Sequence, residues 1–245
     1  MLHILRPAIL SVTLPMALAG CATAATPEGA DATSPTQITS SFRATGNEPS
    51  WRLDIGRTEM TLLTNFGQDR LVAATPTAEV SGGTILYVAR TEQGELTATI
   101  VDQVCVDTMS GMPHPQSVTV VVGDRTLTGC GGEPASLLQG AEWTVDAIDG
   151  KPLVTGSQVT LAFAPDGQLS GQASCNRFMT AYRLSGEGLA ISPAAGTRMM
   201  CDEALMAQER TFLEALRQVQ NFSIEGDGAL LLRTGDGRAI RARRR

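Results

Sequence analysis

The sequence has few of the side chains that enzymes commonly use for catalysis. It contains two histidines, and only His114, which sits in a proline-flanked loop, lies beyond the N-terminal leader described below. A lone histidine cannot form a His-rich metal site, and a Ser-His-Asp triad would need a serine and an acid beside it. The chain also lacks a GxSxG elbow, a Walker A loop and a dinucleotide-binding glycine fingerprint. These absences favour a protein that is not an enzyme and uses no cofactor.

Long apolar runs and closely spaced cysteine pairs are missing as well. No segment offers the roughly 20 apolar residues that a membrane-spanning helix needs. The cysteines show no CxxC spacing, which argues against a zinc site made of four thiolates, so we expect no metal. The formal net charge of −6 makes the chain a poor binder of nucleic-acid phosphates. The basic cluster at residues 238–245 is therefore predicted to be a solvated tail end.

Residues 1–20 have the features of a lipoprotein signal peptide. Arg6 supplies the positive charge, residues 7–17 supply a short apolar core, and residues 18–21 read Leu-Ala-Gly-Cys, a lipobox. We expect cleavage before Cys21 and attachment of a lipid to its thiol. Ala22 follows this cysteine, and a residue other than aspartate there is typical of Gram-negative lipoproteins released to the outer membrane. The predicted location is the outer membrane, lipid-anchored, facing the periplasm or the cell surface.

Three further segments follow the predicted leader. Residues 21–40 are rich in Ala, Thr, Ser and Pro and are predicted to be a disordered tether. Residues 41–134 contain short β-prone runs between glycine turns, which predicts an all-β domain that curls into a small barrel. Residues 135–245 predict an antiparallel sheet packed on one helix, so the fold class is α+β. The predicted strands cover residues 51–55, 59–64, 70–74, 84–90, 95–101, 117–122, 125–128, 143–148, 158–164, 168–173, 177–184, 189–191, 223–224 and 229–233.

One helix is predicted to begin after Cys201. Asp202 is a suitable N-cap, and Glu203 places a negative charge in the first turn, where the helix dipole favours it. Asn221 and Phe222 are expected to end the helix. Its apolar stripe is formed by Leu205, Phe212, Leu213, Leu216 and Val219, and its charged side by Glu209, Arg210, Glu214 and Arg217.

The run from Ser170 to Cys201 resembles the META (HslJ-like) family of bacterial envelope proteins. The resemblance extends over about residues 137–245. It depends on a Gly/Ser-rich turn into a CN-x-aromatic motif, followed by a GT-[RK]-M-x-C motif. The matching residues are Gly171, Ser174, Cys175, Asn176, Phe178, Gly196, Thr197, Arg198, Met199 and Cys201. The family offers no established activity, but the resemblance implies a role in envelope maintenance or stress tolerance.

Three short motifs in the first domain resemble those of a small envelope family of unknown function that is often fused ahead of a META domain. The first motif is Gly46-Asn47-Glu48-Pro49 with Trp51. The second covers residues 105–111, and the third is Gly129-Cys130-Gly131-Gly132. This resemblance implies no activity.

Four cysteines remain after Cys21, and an even number in an exported chain suggests two disulfides. The sequence alone allows three connectivities. We expect Cys105–Cys130 and Cys175–Cys201, because a domain that folds separately should keep its own cross-link.

Asn176 is the most notable polar residue of the second domain. Asparagine after a turn commonly bonds the neighbouring main chain, which predicts a buried, turn-stabilising role. The alternative is that Asn176 contacts a ligand together with Arg177, Arg198 and Met199.

These observations predict a non-catalytic envelope lipoprotein that binds an unknown envelope protein or a lipid and is held at the membrane by its lipid anchor. Two alternatives stay open. An enzyme acting on cell-wall polymers would need a cleft with two carboxyl groups, at least one with a raised pKa. An inhibitor of a hydrolase would present one protruding loop, such as residues 109–115, ordered before binding.

Overall fold

The computed structural model describes residues 41–245 of the chain. The predicted signal peptide, the lipid attachment site Cys21 and the predicted tether lie outside these residues. The described part is mostly β, with barrel-like sheets and one long helix. Among the described residues, no helix combines the length and the hydrophobicity that crossing a membrane requires.

The first half of the described chain forms a nine-stranded antiparallel sheet and a separate two-stranded hairpin. The sheet order is β4-β3-β2-β1-β11-β10-β7-β6-β5, and β4 also contacts β6, which curls the sheet. The hairpin pairs β8 with β9. The strands are β1 (Phe42–Asn47), β2 (Ser50–Ile55), β3 (Glu59–Thr64), β4 (Asp69–Ala74), β5 (Glu79–Ser81), β6 (Thr84–Thr91), β7 (Gly94–Val101), β8 (Cys105–Val106), β9 (Pro113–His114), β10 (Gln116–Val122) and β11 (Arg125–Gly131).

Side-chain alternation explains how this sheet builds its core. Trp51, Leu53 and Ile55 lie at alternate positions of β2, which was predicted as a strand, and all three are buried. Successive strand side chains point to opposite faces, so every second residue of β2 contributes to the interior. The strand β1 was not predicted; it pairs with β2 and β11 and joins the group β2–β4 to the rest of the sheet.

The second half forms a sheet with the order β17-β16-β15-β14-β12-β21-β20-β19, to which β13 adds beside β12 and β18 beside β16. Strands β17 and β19 also contact each other, which brings the ends of the sheet together. Its elements are α1 (Ala135–Leu138), β12 (Glu142–Ile148), β13 (Lys151–Pro152), β14 (Thr160–Phe163), β15 (Gln168–Ala173), β16 (Asn176–Ser185), β17 (Gly188–Ile191), β18 (Ala195–Gly196), α2 (Glu203–Arg217), β19 (Val219–Ile224), β20 (Leu230–Thr234) and β21 (Ala239–Arg244).

Helix α2 contributes to the core of this second sheet. Phe212 and Leu216 are buried in the same apolar cluster as Trp143, Leu169 and Phe178. The rings of Phe178 and Phe212 meet edge to face with centroids 5.7 Å apart, a favourable aromatic geometry. The helix therefore lies against the strand that begins at Asn176.

The prediction for the end of the helix was wrong. Helix α2 ends at Arg217, and Val219–Ile224 is the strand β19 rather than a continuation of the helix. Asp202 occupies the N-cap position, but its side chain makes no capping hydrogen bond.

The prediction of a solvated basic tail was also wrong. Ala239–Arg244 is the strand β21, which lies inside the sheet between β12 and β20. Ile240 and Ala242 point into the core and are fully buried, while Arg241 between them and Arg243 after them reach the other face. Arg241 bonds Asp146, Glu225 and Asp227 there, so the arginines neutralise an acidic patch.

A bulge in β12 changes which residues of that strand are buried. Regular alternation would place Trp143, Val145 and Ala147 on one face, but the register shifts between Val145 and Ala147. One extra residue in a strand reverses the alternation beyond it. Ile148 is consequently buried, and Ala147 is only partly covered.

Candidate functional site

Asn176 begins strand β16 directly after Cys175 and is buried. Its Nδ2 donates hydrogen bonds to the carboxylate of Glu209 (3.1 Å) and to the carbonyl of Met199 (3.3 Å). Its Oδ1 accepts from the Thr197 hydroxyl and the Met199 amide, both at 2.7 Å. The two donors and two acceptor positions of the amide are therefore all used within the protein. The side chain of Asn176 is therefore buried and bonded to Thr197, Met199 and Glu209.

The Asn176 network joins three parts of the second sheet. The backbone amide of Asn176 donates to Glu209 Oε2 at 2.8 Å, so the helix α2 is tied to the start of β16. Glu209 was predicted to lie on the solvent side of the helix, and this was wrong. Because the partners are 33 residues apart, no local pattern in the sequence signals their contact.

Gln208, the residue before Glu209, connects the loop at residues 154–157 and Ser174 to the helix. Its Oε1 accepts from the amide of Val154 at 2.6 Å, and its Nε2 donates to the hydroxyls of Ser157 (2.5 Å) and Ser174 (3.1 Å). Ser174 has a left-handed backbone (φ 80°), and these bonds hold it there. Sequence reasoning did not identify Gln208.

The two disulfides connect the expected cysteines. Cys175 is bonded to Cys201 with Cα atoms 6.0 Å apart, and Cys105 to Cys130 with Cα atoms 5.4 Å apart. The first bond closes the loop that contains the residues 192–200, immediately before α2. The second fixes the start of the hairpin β8–β9 to β11.

Residues 192–200, which we call the exposed segment, are all exposed to solvent although both ends are fixed. Strand β18 lies within the segment and pairs with β16, and the Thr197 amide donates to the Arg177 carbonyl at 3.0 Å. Met199 and Met200 expose 56% and 90% of their surface, and Met179, whose strand partner is Ala195, exposes 58%. Exposed methionines on a fixed backbone are typical of adaptable binding surfaces.

Two cavities adjoin the exposed segment, and both are lined by Arg177, Phe178, Ala195, Gly196 and Thr197. The larger, with a volume of about 720 Å³, is also lined by Gln172 and Met179. The smaller, with a volume of about 270 Å³, is lined by Asn176, Arg198, Glu209 and Leu213. The exposed segment therefore forms a ridge that is shared by two concave surfaces.

The two arginines of the predicted site flank this ridge, and both are exposed. Within residues 41–245, neither Arg177 nor Arg198 forms a salt bridge, in contrast to Arg241 and Arg243 on the other side of the sheet. The nearby carboxylate of Glu209 is engaged by Asn176, and that of Glu142 by Arg245. The structure thus brings Arg177, Arg198 and Met199 to one surface, with Asn176 buried beneath them.

Residues 105–114, which we call the Asp107 loop, form a second ordered surface feature. The carboxylate of Asp107 accepts hydrogen bonds from the amides of Met109 (3.1 Å) and Ser110 (2.7 Å), and from Asn47 Nδ2 (2.9 Å). Burial by itself raises the pKa of Asp107, but these bonds and that from the Ser110 hydroxyl outweigh it, so the pKa is lowered. Met109 lies at the tip of the loop, with 80% of its surface exposed.

Met112 and His114 hold the base of the Asp107 loop. Met112 is buried in the apolar cluster of the second sheet, so this loop contacts both halves of the described chain. His114 Nδ1 lies 2.9 Å from the carbonyl of Gly132, which gives this lone histidine a role in loop structure. In the first sheet, the carboxylate of Asp54 pairs with Arg43 and Arg52. Among the described residues, no group of three or more histidine, cysteine, aspartate or glutamate side chains has the geometry to hold a metal ion.

The glycines in the sequence motifs of the first domain have a packing role. The indole Nε1 of Trp51 donates to the carbonyl of Thr128 at 3.1 Å. A Cβ atom added at Gly46 would come within 2.1 Å of that indole nitrogen, and one at Gly129 within 2.1 Å of the Thr45 carbonyl oxygen. Both positions therefore need glycine to let the backbone approach Trp51 closely.

Comparison with known proteins supports the resemblance seen in the second half. A family model described as META domain matches residues 136–245. One similar solved structure is an NMR structure of a protein from Burkholderia xenovorans, with 24% identity, 45% coverage of this chain, 86% coverage of that chain and a TM-score of 0.39. A second NMR structure shows 26% identity, coverages of 44% and 92%, and a TM-score of 0.38. No curated protein matches the chain significantly.

Proposed function

Because residues 136–245 match the META domain, we propose that the chain is a non-catalytic envelope lipoprotein that binds a protein partner through the exposed segment. One observation carries this proposal. Met199 and Met200 are exposed, while the backbone that presents them is fixed by the Cys175–Cys201 disulfide and by the Asn176 network. A surface that is ordered before binding loses less conformational entropy when a partner docks.

The smaller cavity, which lies beside the helix, supports a protein partner over a lipid, whereas the larger cavity of about 720 Å³ does not distinguish the two. The volume of the smaller cavity, about 270 Å³, is below the 300–1,000 Å³ that is common for sites enclosing a small molecule. Asn176, Arg198 and Glu209 line it, and these polar side chains suit an acyl chain poorly.

The predicted leader supplies the cellular setting of the proposal. A lipid on Cys21 would hold the chain at the outer membrane, facing the periplasm or the cell surface. The META resemblance adds envelope maintenance or stress tolerance as the context in which the partner acts.

The proposal is tested by comparing what co-purifies with tagged full-length chains from their own envelope. We expect the double variant Met199→Glu and Met200→Glu to lose at least one protein that the wild type retains. Val80→Glu is the matched control, because Val80 is 62% exposed on the first sheet. Identical sets of proteins for all three chains would contradict the proposal.

Inhibition of a hydrolase is a second candidate function, and the Asp107 loop favours it. Inhibitors of this type present a loop whose main chain is ordered before binding. The disulfide at Cys105, the hydrogen bonds of Asp107 and the burial of Met112 order this loop, and Met109 protrudes from it. Met109→Asp should then abolish inhibition of a peptidoglycan hydrolase by the purified chain. Absence of inhibition by the wild type across a panel of such hydrolases would exclude this function.

A further inference from the structure

Strand β18 is an open edge of the second sheet. Within residues 41–245 it pairs only with β16, and all residues of the exposed segment are exposed to solvent. The Thr197 amide points inward to Arg177. In an antiparallel strand, alternate residues point their N–H and C=O groups to opposite sides. The backbone groups of Ala194, Gly196 and Arg198 therefore point away from β16, where a further strand can bond them.

The charge at this edge selects the kind of strand that fits. Arg177 and Arg198 flank it, and neither has a carboxylate partner within the described residues, although the chain as a whole is acidic. Unpaired guanidinium groups beside free backbone donors favour carboxylates on the incoming segment.

The two cavities beside the strand fit the side chains of an added strand. Residues along an extended peptide point alternately to opposite faces. A peptide lying along Ala194–Arg198 would therefore direct one set of side chains toward the cavity with Gln172 and Met179, and the other toward the cavity with Arg198 and Leu213.

We infer that this META-domain edge binds an extended, acidic segment of its protein partner by β-strand addition. The inference deepens the proposed function and rests on it: main-chain bonds to Ala194, Gly196 and Arg198 supply the affinity, and the arginines and cavities supply the selectivity.

The test uses the ¹⁵N-labelled full chain and peptides of about ten residues that alternate valine with glutamate. We expect the peptide to shift the amide signals of Gly196 and Arg198, and a matched valine–lysine peptide to bind about tenfold more weakly. Arg177→Ala and Arg198→Ala should each weaken binding and reduce its salt dependence. Arg183→Ala is the control, since Arg183 is exposed on the same strand but beside β17.

N-methylation of the peptide separates strand addition from side-chain docking. Methyl groups on alternate residues leave one hydrogen-bonding edge intact and should preserve binding. The same number of methyl groups on consecutive residues interrupts both edges and should reduce the affinity about tenfold. Equal binding of the two methylated peptides, or equal binding of the acidic and basic peptides, would overturn the inference.

These experiments distinguish a failure of the strand-addition inference from a failure of the proposed function. If no peptide shifts the amides of Gly196 and Arg198 while the variant Met199→Glu, Met200→Glu still loses a co-purifying protein, strand addition is wrong and the proposed function stands. If vesicles of phosphatidylglycerol shift these amides and the acidic peptide does not, the edge recognises lipid headgroups, and both proposals fail.

Discussion

At the scale of single residues, the buried amide of Asn176 explains how an exposed surface is kept rigid. Its side chain links the exposed segment to α2 through Met199 and Glu209. The sequence predicted a turn-stabilising asparagine from its position after Cys175. It did not predict Glu209 as the hydrogen-bond partner. Glu209 is distant in sequence, and its position in the helix is on the side where the charged residues lie.

Exchanging donors and acceptors tests the bond between Asn176 and Glu209. Asn176→Asp places a second carboxylate about 3 Å from that of Glu209 and removes two donated hydrogen bonds, which we expect to cost about 1–3 kcal/mol of unfolding free energy. Adding Glu209→Gln should recover part of this loss, because the glutamine amide can donate to the carboxylate introduced at position 176. Thermal unfolding measures both effects; losses that simply add would show that the two side chains do not interact.

The lowered pKa of Asp107 makes the Asp107 loop sensitive to acid. A carboxyl group whose folded pKa lies below its unfolded value stabilises the folded state at higher pH, and this contribution is lost as the pH falls through the folded pKa. We therefore expect the amide signals of Met109 and Ser110 to show a loop that is ordered near neutral pH and loosens in strong acid, below the ordinary aspartate range of about 4.

Asp107→Asn provides the comparison, since asparagine cannot ionise but keeps one acceptor oxygen. Its Met109 and Ser110 signals should change little over the same acid range. An identical acid transition in this variant would mean that another group controls the loop.

At the scale of secondary-structure elements, strands in which apolar and polar residues clearly alternate were predictable. A strand whose apolar residues lie among several charged residues was not. Strand β3 was predicted with its observed bounds, Glu59–Thr64. Strand β21 was missed because its arginines concealed the alternation of Ile240 and Ala242. The end of α2 was misplaced because Val219 continues the helical spacing of Leu216, although tertiary pairing with β20 makes it a strand residue.

The exposed segment depends on the Cys175–Cys201 disulfide, whose cysteines are separated by 26 positions. Removing it should cost about 3 kcal/mol in the chain-entropy model. Cys175→Ser and Cys201→Ser should each lower the melting temperature by a similar amount, and the double variant should lower it little further. Calorimetry of the three variants tests the pairing. If the two single losses add in the double variant, Cys175 and Cys201 do not bond to each other.

At the scale of the whole molecule, the C-terminal arginines belong to the fold. Deleting residues 239–245 removes a strand that lies between two others, so circular dichroism should show that the second sheet no longer folds. Deleting only Arg245, which lies beyond β21 and forms a single ion pair with Glu142, should leave the spectrum unchanged. A native spectrum for the longer deletion would contradict the position of β21.

The central claim is that the exposed segment is where a partner protein docks, and position-specific photocross-linking in the native envelope tests it most directly. A cross-linking residue is placed in turn at positions 200, 179, 109 and 80 of the full chain, all exposed in the structure. We predict a discrete protein adduct from positions 200 and 179, and none from 80. An adduct from position 109 alone would favour the hydrolase-inhibitor function. Adducts of equal yield at all four positions, or none at 200 and 179, would contradict the account.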